Sequence, residues 1–273
     1  MNETVKVNNS DPHQVVDEVV AENKKSMFTT EMVELPSKGL VYPLESPLST
    51  GLVEIKYMTA KEQDILSTES YIKTNVVLDK LLQSLIVNPA VVRVYDQLIG
   101  GDKNALLIAA RQYGFGDEYE IEVDTPSGGK QSVTVNLSDL KSKELEDWTI
   151  FKNENSFTFT LPLSKNVVEF KFITTRDERE LSEKQRKVKT TGRETQLTDL
   201  LKKMIISIDG ESDPNFINLA VEGMLARDIS AFRSYIKKIQ PNIDMTIELV
   251  DEATGEPFHS TVTLGPSFFW PDL

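Results

Sequence analysis

The sequence predicts an α+β protein made of two related units, each running strand, helices, β-hairpin, and three observations carry that prediction. PLSTGLVEIKYMT at 47–59 returns as PLSKNVVEFKFIT at 162–174, with seven of thirteen positions identical at a shift of 115. The apolar run LLQSLIV at 81–87 returns as LLKKMII at 200–206, at a shift of 119. Asp102 and Asp228 each precede a helical segment at a shift of 126, and YEIEV at 119–123 meets MTIEL at 245–249 at the same shift. Matched segments in one order, with slowly growing spacing, describe a duplication with insertions in its second copy, and such a repeat is read before the fold. The expected domains are a disordered leader at 1–31, a first unit with an N-terminal arm at 32–150, and a second unit at 151–273.

Taken in order, residues 1–31 are polar apart from the patch Val15 to Val20. Such a segment buries too little apolar surface to offset its ordering entropy, so it is expected to stay mobile and to fold only on a partner. MVELPSKGLVYPLESP at 32–47 holds three prolines and a Ser-Lys-Gly turn, the chemistry of an extended arm with tight bends that clamps a sheet. Pro36, Gly39 and Tyr42 are its candidate structural residues. Val53, Ile55 and Tyr57 then alternate with polar neighbours, as in a half-buried strand. Thr59 followed by Glu62 reads as a capping box, and Thr174 followed by Asp177 repeats it with a shorter acid.

Apolar residues between 76 and 87 fall on one helical face, and the counterpart at 197–208 is expected to be helical throughout. Asp102 is expected to cap a helix over 103–113 that ends at Gly114. The equivalent helix opens at Asp228, carries Arg233, and stops before Pro241, which cannot continue it. Each helix precedes a hairpin pattern with its turn at Gly128-Gly129 or near Gly255.

Composition narrows the function. A net charge of −13 opposes binding to phosphate backbones, so nucleic acid is not an expected partner. No apolar run is long enough to span a bilayer, and the N-terminus lacks a secretory pattern, so neither membrane insertion nor export is expected. Without cysteine there is no disulfide, thiolate zinc site or cysteine nucleophile. His13 and His259 are the available imidazoles, and both read as surface or strand residues. The acidic groups Glu144, Glu146, Asp147 and Asp177, Glu178, Glu180 have the residue types for acid/base work or a hard metal, but their setting reads as solvated helix faces. Gly128-Gly129 has no following Lys-Ser/Thr at phosphate-loop spacing. The basic patch Lys184 to Lys189 suits a helix C-terminus or an acidic neighbour. No catalytic residue, metal or cofactor is assigned. Phe268, Phe269 and Trp270 are the candidate partner contact, weighed against packing on their own unit, since adjacent aromatics are costly to leave in water.

LPSKGLVYP at 35–43, the strand leading into MTAKEQDIL at 58–66, GGD at 100–102 with Arg111, ARD at 226–228 with Arg233, and the closing LGPSFFWPDL at 264–273 together resemble the baseplate hub and tail-assembly proteins of contractile-tailed bacteriophages. The resemblance spans residues 33–273. It implies a non-enzymatic structural or assembly protein that binds other hub or tail proteins, made in the host cytoplasm and carried in the tail baseplate. A transient assembly chaperone absent from the finished particle is the alternative within that biology, and a carboxylate enzyme is the alternative outside it. Relatives often carry Cys-x-x-Cys-like pairs in the hairpin turns. Here the turns read DTPSGGK at 124–130 and DEATGEP at 251–257, so any zinc knuckle of the family is lost.

Overall fold

The computed structural model describes residues 29–188, 196–264 and 266–269, so residues 1–28 of the expected leader and Trp270 lie outside the described residues. Strand β1, Thr30–Glu34, pairs antiparallel with β2, Leu52–Lys56, and places Val33 opposite Val53. Between them the arm folds back on itself. Gly39 has φ 77°, and a Cβ there would lie 2.3 Å from the Ser49 carbonyl oxygen, so both the conformation and the space require glycine. Helices α1 (Ala60–Ser67), α2 (Glu69–Lys73) and α3 (Val77–Leu85) follow, and Ile86 then bridges back to Ile55. A short α4, Pro89–Arg93, opens on the Asn88 side chain and leads to the long α5, Gly100–Phe115. The hairpin of β3, Glu118–Asp124, and β4, Lys130–Asn136, completes this half.

The second half again runs strand pair, helices, hairpin. Strands β5 (Phe157–Thr160) and β6 (Val167–Phe170) pair antiparallel, followed by α6 (Thr175–Val188), α7 (Gln196–Met204) and β7 (Ile205–Ile208). Helix α8, Pro214–Glu222, opens on the Asp213 side chain, and α9 runs Ala226–Ile239. The hairpin β8 (Thr246–Val250) and β9 (Pro257–Thr261) follows, then a 3-10 helix, Pro266–Phe269. The helix expected over 197–208 therefore ends at Met204. Ile205–Ile208 adds a third strand, with Ile208 opposite Val168, because β-branched residues favour the pleated surface and a short apolar run suits either period.

One continuous cluster of buried side chains runs through both halves, with Tyr95, Phe170, Phe172, Phe232 and Phe268 among its largest fully buried members. Backbone contacts cross between the halves as well. Ile99 bridges Thr174, and Thr175 donates both its N–H (2.7 Å) and its hydroxyl (3.1 Å) to the Leu98 carbonyl. Ser142 bridges Ile243. Gly101 has no room for a side chain, since a Cβ would lie 2.0 Å from the Pro241 carbonyl oxygen.

Phe268 docks on the first half. Phe268 meets Tyr119 edge-on with ring centres 4.8 Å apart, and its carbonyl accepts a 3.0 Å bond from Arg111 Nε. Phe268 and Phe269 are buried in the shared core. The docking is stabilising because it buries two rings and also satisfies a buried guanidinium.

Two buried aspartates tie each long helix to the strand-to-strand loop of its own half. Asp102 was expected as a cap, but the residue before the helix is Ile99, and Asp102 stands within the first turn. Its carboxylate turns away from its own helix and accepts the Ser37 N–H (2.9 Å), the Ser37 hydroxyl (2.6 Å) and the Tyr42 hydroxyl (2.5 Å). Tyr42 in turn accepts the Ile99 N–H at 3.2 Å. Asp228 holds the same position in α9 and accepts the Leu163 and Ser164 N–H groups at 2.7 and 3.0 Å. The expected capping acids are also in place. Glu62 accepts from the Thr59 N–H and hydroxyl and from Lys56 Nζ at 2.7 Å, while Asp177 accepts from Thr174 and from Lys171 Nζ at 2.6 Å.

These acids titrate in opposite senses. Burial pushes Asp102 up to about 6 in spite of its three donors. Burial also opposes the charge on Glu62, but hydrogen bonds from Lys56, Ser84 and Thr59 outweigh it and hold the group at about 2. Desolvation opposes the charge on Asp228 as well, yet its two backbone donors keep it below the usual range.

Each of these contacts carries an expected outcome. Asp102→Ala leaves three buried donors without an acceptor and costs about 3 kcal/mol or more in urea unfolding, and Tyr42→Phe costs less. Asp102 binds its proton more tightly folded than unfolded, so its contribution is full below about pH 4 and is lost as pH rises through about 6. Wild type should therefore gain stability relative to Asp102→Asn as pH falls from 7 to 4. Glu62 has the opposite sign, and its contribution is lost as pH falls from about 4 through about 2, so Glu62→Gln should cost most near neutral pH. Phe268→Ala should lower stability by about 3–5 kcal/mol, measured by thermal or urea unfolding.

Candidate partner interface

Helices α6, α7 and α9 and the segment leading into β8 enclose an open groove of about 1190 Å³. The sequence places these walls by simple means. Leu181 and Leu200 face inward from amphipathic helices, and α9 turns Ile236 toward the groove floor. Pro241 then stops α9, so that Ile243 and Met245 leave it as an extended wall. The floor is apolar and the rim carries Lys143, Arg233, Lys237 and Lys238.

These cations differ in what they already do. Lys143 Nζ donates to the Lys237 and Lys238 carbonyls, which closes the C-terminal end of α9. Burial, then the neighbouring Lys237, lowers its pKa. Lys238 pairs with Glu146 at 2.7 Å across the rim. Arg233 and Lys237 are exposed, and among the described residues neither has an ion-pair partner. Glu178 at the far wall is engaged by Lys103 at 3.1 Å. The lining also holds Asp244, which accepts the Thr246 N–H and lies near Lys143 and Lys237, so the groove carries four cations and two acids.

The acids weighed for catalysis do not converge. Glu146 meets Lys238, Glu180 meets Lys203, and Asp147 accepts from Thr149 in its own loop, which lowers its pKa. Burial opposes the charge on Asp177, but Lys171 and Thr174 hold its pKa below the usual range. Asp102, the carboxylate raised to about 6, is fully buried inside its own hydrogen-bond network with no open face. Among the described residues, no group of three His, Cys, Asp or Glu is placed to share a metal ion, and no helix is long and apolar enough to cross a membrane.

The remaining singled-out residues fall into separate places. Pro36, Gly39 and Tyr42 lie buried in the arm at Asp102, and Thr59 and Thr174 start their helices on the acids described above. Arg233 is on the groove rim. His259 is exposed in β9, and His13 lies outside the described residues. From the basic patch, Lys184 meets an acidic neighbour, Asp199, at 2.6 Å. The sequence reading missed the groove. Its signal was the pairing of Arg233 and Lys237, four apart on α9, beside the apolar Ile236.

Comparison with known proteins adds one match. The family described as T4 bacteriophage base plate protein matches over residues 27–270. No curated protein and no solved structure matches. The matched span takes in both halves, the arm and the buried terminal aromatics. The chain belongs to the T4 bacteriophage base plate protein family.

Proposed function

We propose that the chain is a non-enzymatic structural protein of the baseplate hub, built from a duplicated unit, whose groove grips a neighbouring hub or tail protein. The family match across 27–270 carries the baseplate assignment. The duplication, with units at 32–150 and 151–273, is supported by the repeated order of elements and by the matched positions of Asp102 and Asp228. Its mechanism is placement. A rigid core holds an apolar groove with a cationic rim, and the complementary occupant is an apolar segment bearing acidic residues from a neighbouring hub or tail protein. Binding of that kind weakens as salt screens the rim charges.

Mass spectrometry of purified particles beside infected-cell lysate tests the role. Presence in particles at a fixed ratio to other baseplate proteins supports a structural component. Presence in lysate alone makes the chain a transient assembly chaperone and overturns the structural reading. The groove has its own test. Arg233→Glu combined with Lys237→Glu is expected to lower incorporation at least ten-fold while leaving the unfolding curve unchanged, because both side chains are exposed. Unchanged incorporation would remove the groove from the account.

A further inference from the structure

The sequence itself holds a segment with the chemistry the groove asks for. The groove floor is apolar, with Leu181, Leu200, Ile243 and Met245 each half-buried. Of the four rim cations, Arg233 and Lys237 are exposed and form no ion pair among the described residues. Both acids of the lining are engaged, Glu178 by Lys103 and Asp244 by the Thr246 N–H beside Lys143 and Lys237. An occupant therefore needs apolar side chains and a few carboxylates close together on one short segment.

Residues 15–22, VVDEVVAE, are such a segment, and they precede the described residues, which begin at Thr29. Val15, Val16, Val19 and Val20 recur at the spacing of one helical face, and Asp17, Glu18 and Glu22 are accompanied by no base. Length and charge connect this segment to the groove. Strand β1 leads from Thr30 to Glu34, about 13 Å at the usual rise. Glu34 lines a small cleft with Glu144 and Lys143, and Lys143 also lines the groove. In the other direction from Thr29, Lys25 is four residues back, the same length of chain. A path folded back along β1 thus brings Lys24 and Lys25 to the exposed acids Glu34 and Glu144. Val20 lies five residues further, up to about 17 Å of chain, which carries the valines past Lys143 into the groove.

We propose that residues 15–22 bind the groove of their own chain and occupy it until a neighbouring hub or tail protein displaces them. The valines bury against the groove floor, and Asp17 and Glu18 meet Arg233 and Lys237, so salt weakens the contact. The displacement rests on the groove reading above, whereas the contact itself needs no partner.

The cysteine-free sequence allows a direct test on the full chain. Ala21→Cys combined with Ser182→Cys, which lines the groove, is expected to close a disulfide within one chain at least ten-fold faster than Ala21→Cys combined with Ser70→Cys, an exposed position on α2. Adding Arg233→Glu and Lys237→Glu should slow closure at least ten-fold, and Asp17→Lys with Glu18→Lys should then restore it. Circular dichroism confirms that each variant is folded. Equal rates for the two cysteine pairs, a disulfide that joins two chains instead of closing one, or a rate indifferent to the charge reversal overturns the proposal. In an infected-cell extract without reductant, the disulfide-closed chain should enter particles at least ten-fold less than the same chain reduced, and equal entry overturns the displacement. The cross-linking involves no hub protein or particle, so its failure is distinct from failure of the baseplate role.

Discussion

A carboxylate buried beyond the reach of water must collect donors, and Asp102 collects them from the arm instead of from its own helix. That choice sets much of the first half. With Ser37 and Tyr42 committed to Asp102, the arm is held against the start of α5. Tyr42 also accepts the Ile99 N–H, so the chain approaches the helix as an extended edge. The second half builds onto that edge through Thr174 and Thr175. Removing the carboxylate therefore loosens more than one loop, because the interface between halves begins where its hydrogen bonds end.

The second half reaches the same end with fewer parts. Asp228 holds a short loop by two backbone N–H groups, where Asp102 uses a hydroxyl, a phenol and one N–H. Glu62 and Asp177 each close a helix start and each recruit a lysine from the preceding strand, Lys56 or Lys171. The shorter acid works because the lysine and threonine come to it. Val91 and Ile99, near the starts of α4 and α5, are buried, whereas Phe216 and Leu225, near the starts of α8 and α9, are exposed. Within one core, corresponding positions thus serve packing in one half and present a surface in the other.

Much of this was legible from local pattern. The alternation through Val53 and Ile55, the capping acids after Thr59 and Thr174, and both hairpins depend on neighbours a few residues away, and they stand where the period placed them. The misreadings share a cause. Whether Asp102 faces its own helix or a loop 65 residues earlier is a tertiary matter, and a cap reading considers only the helix. Ile205–Ile208 became a strand because β6 offered an edge, which a local window does not contain. Phe268 docks on Arg111 across 157 residues, so the aromatics were recognisable as buried but not as belonging to the first half. The groove was hidden for the same reason, since its walls come from α6, α7, α9 and the run into β8.

The claim at the centre is that one buried aspartate in each half holds the strand-to-strand loop by direct bonds to backbone N–H groups. Residue-resolved amide exchange tests it most directly. The Ser37, Leu163 and Ser164 amides, which donate to Asp102 and Asp228, should exchange far more slowly than amides of unbonded loops. Asp102→Ala should release Ser37 and leave Leu163 and Ser164 protected, and Asp228→Ala should release Leu163 and Ser164 and leave Ser37 protected. Exchange at unprotected-loop rates in the wild-type chain would contradict the account.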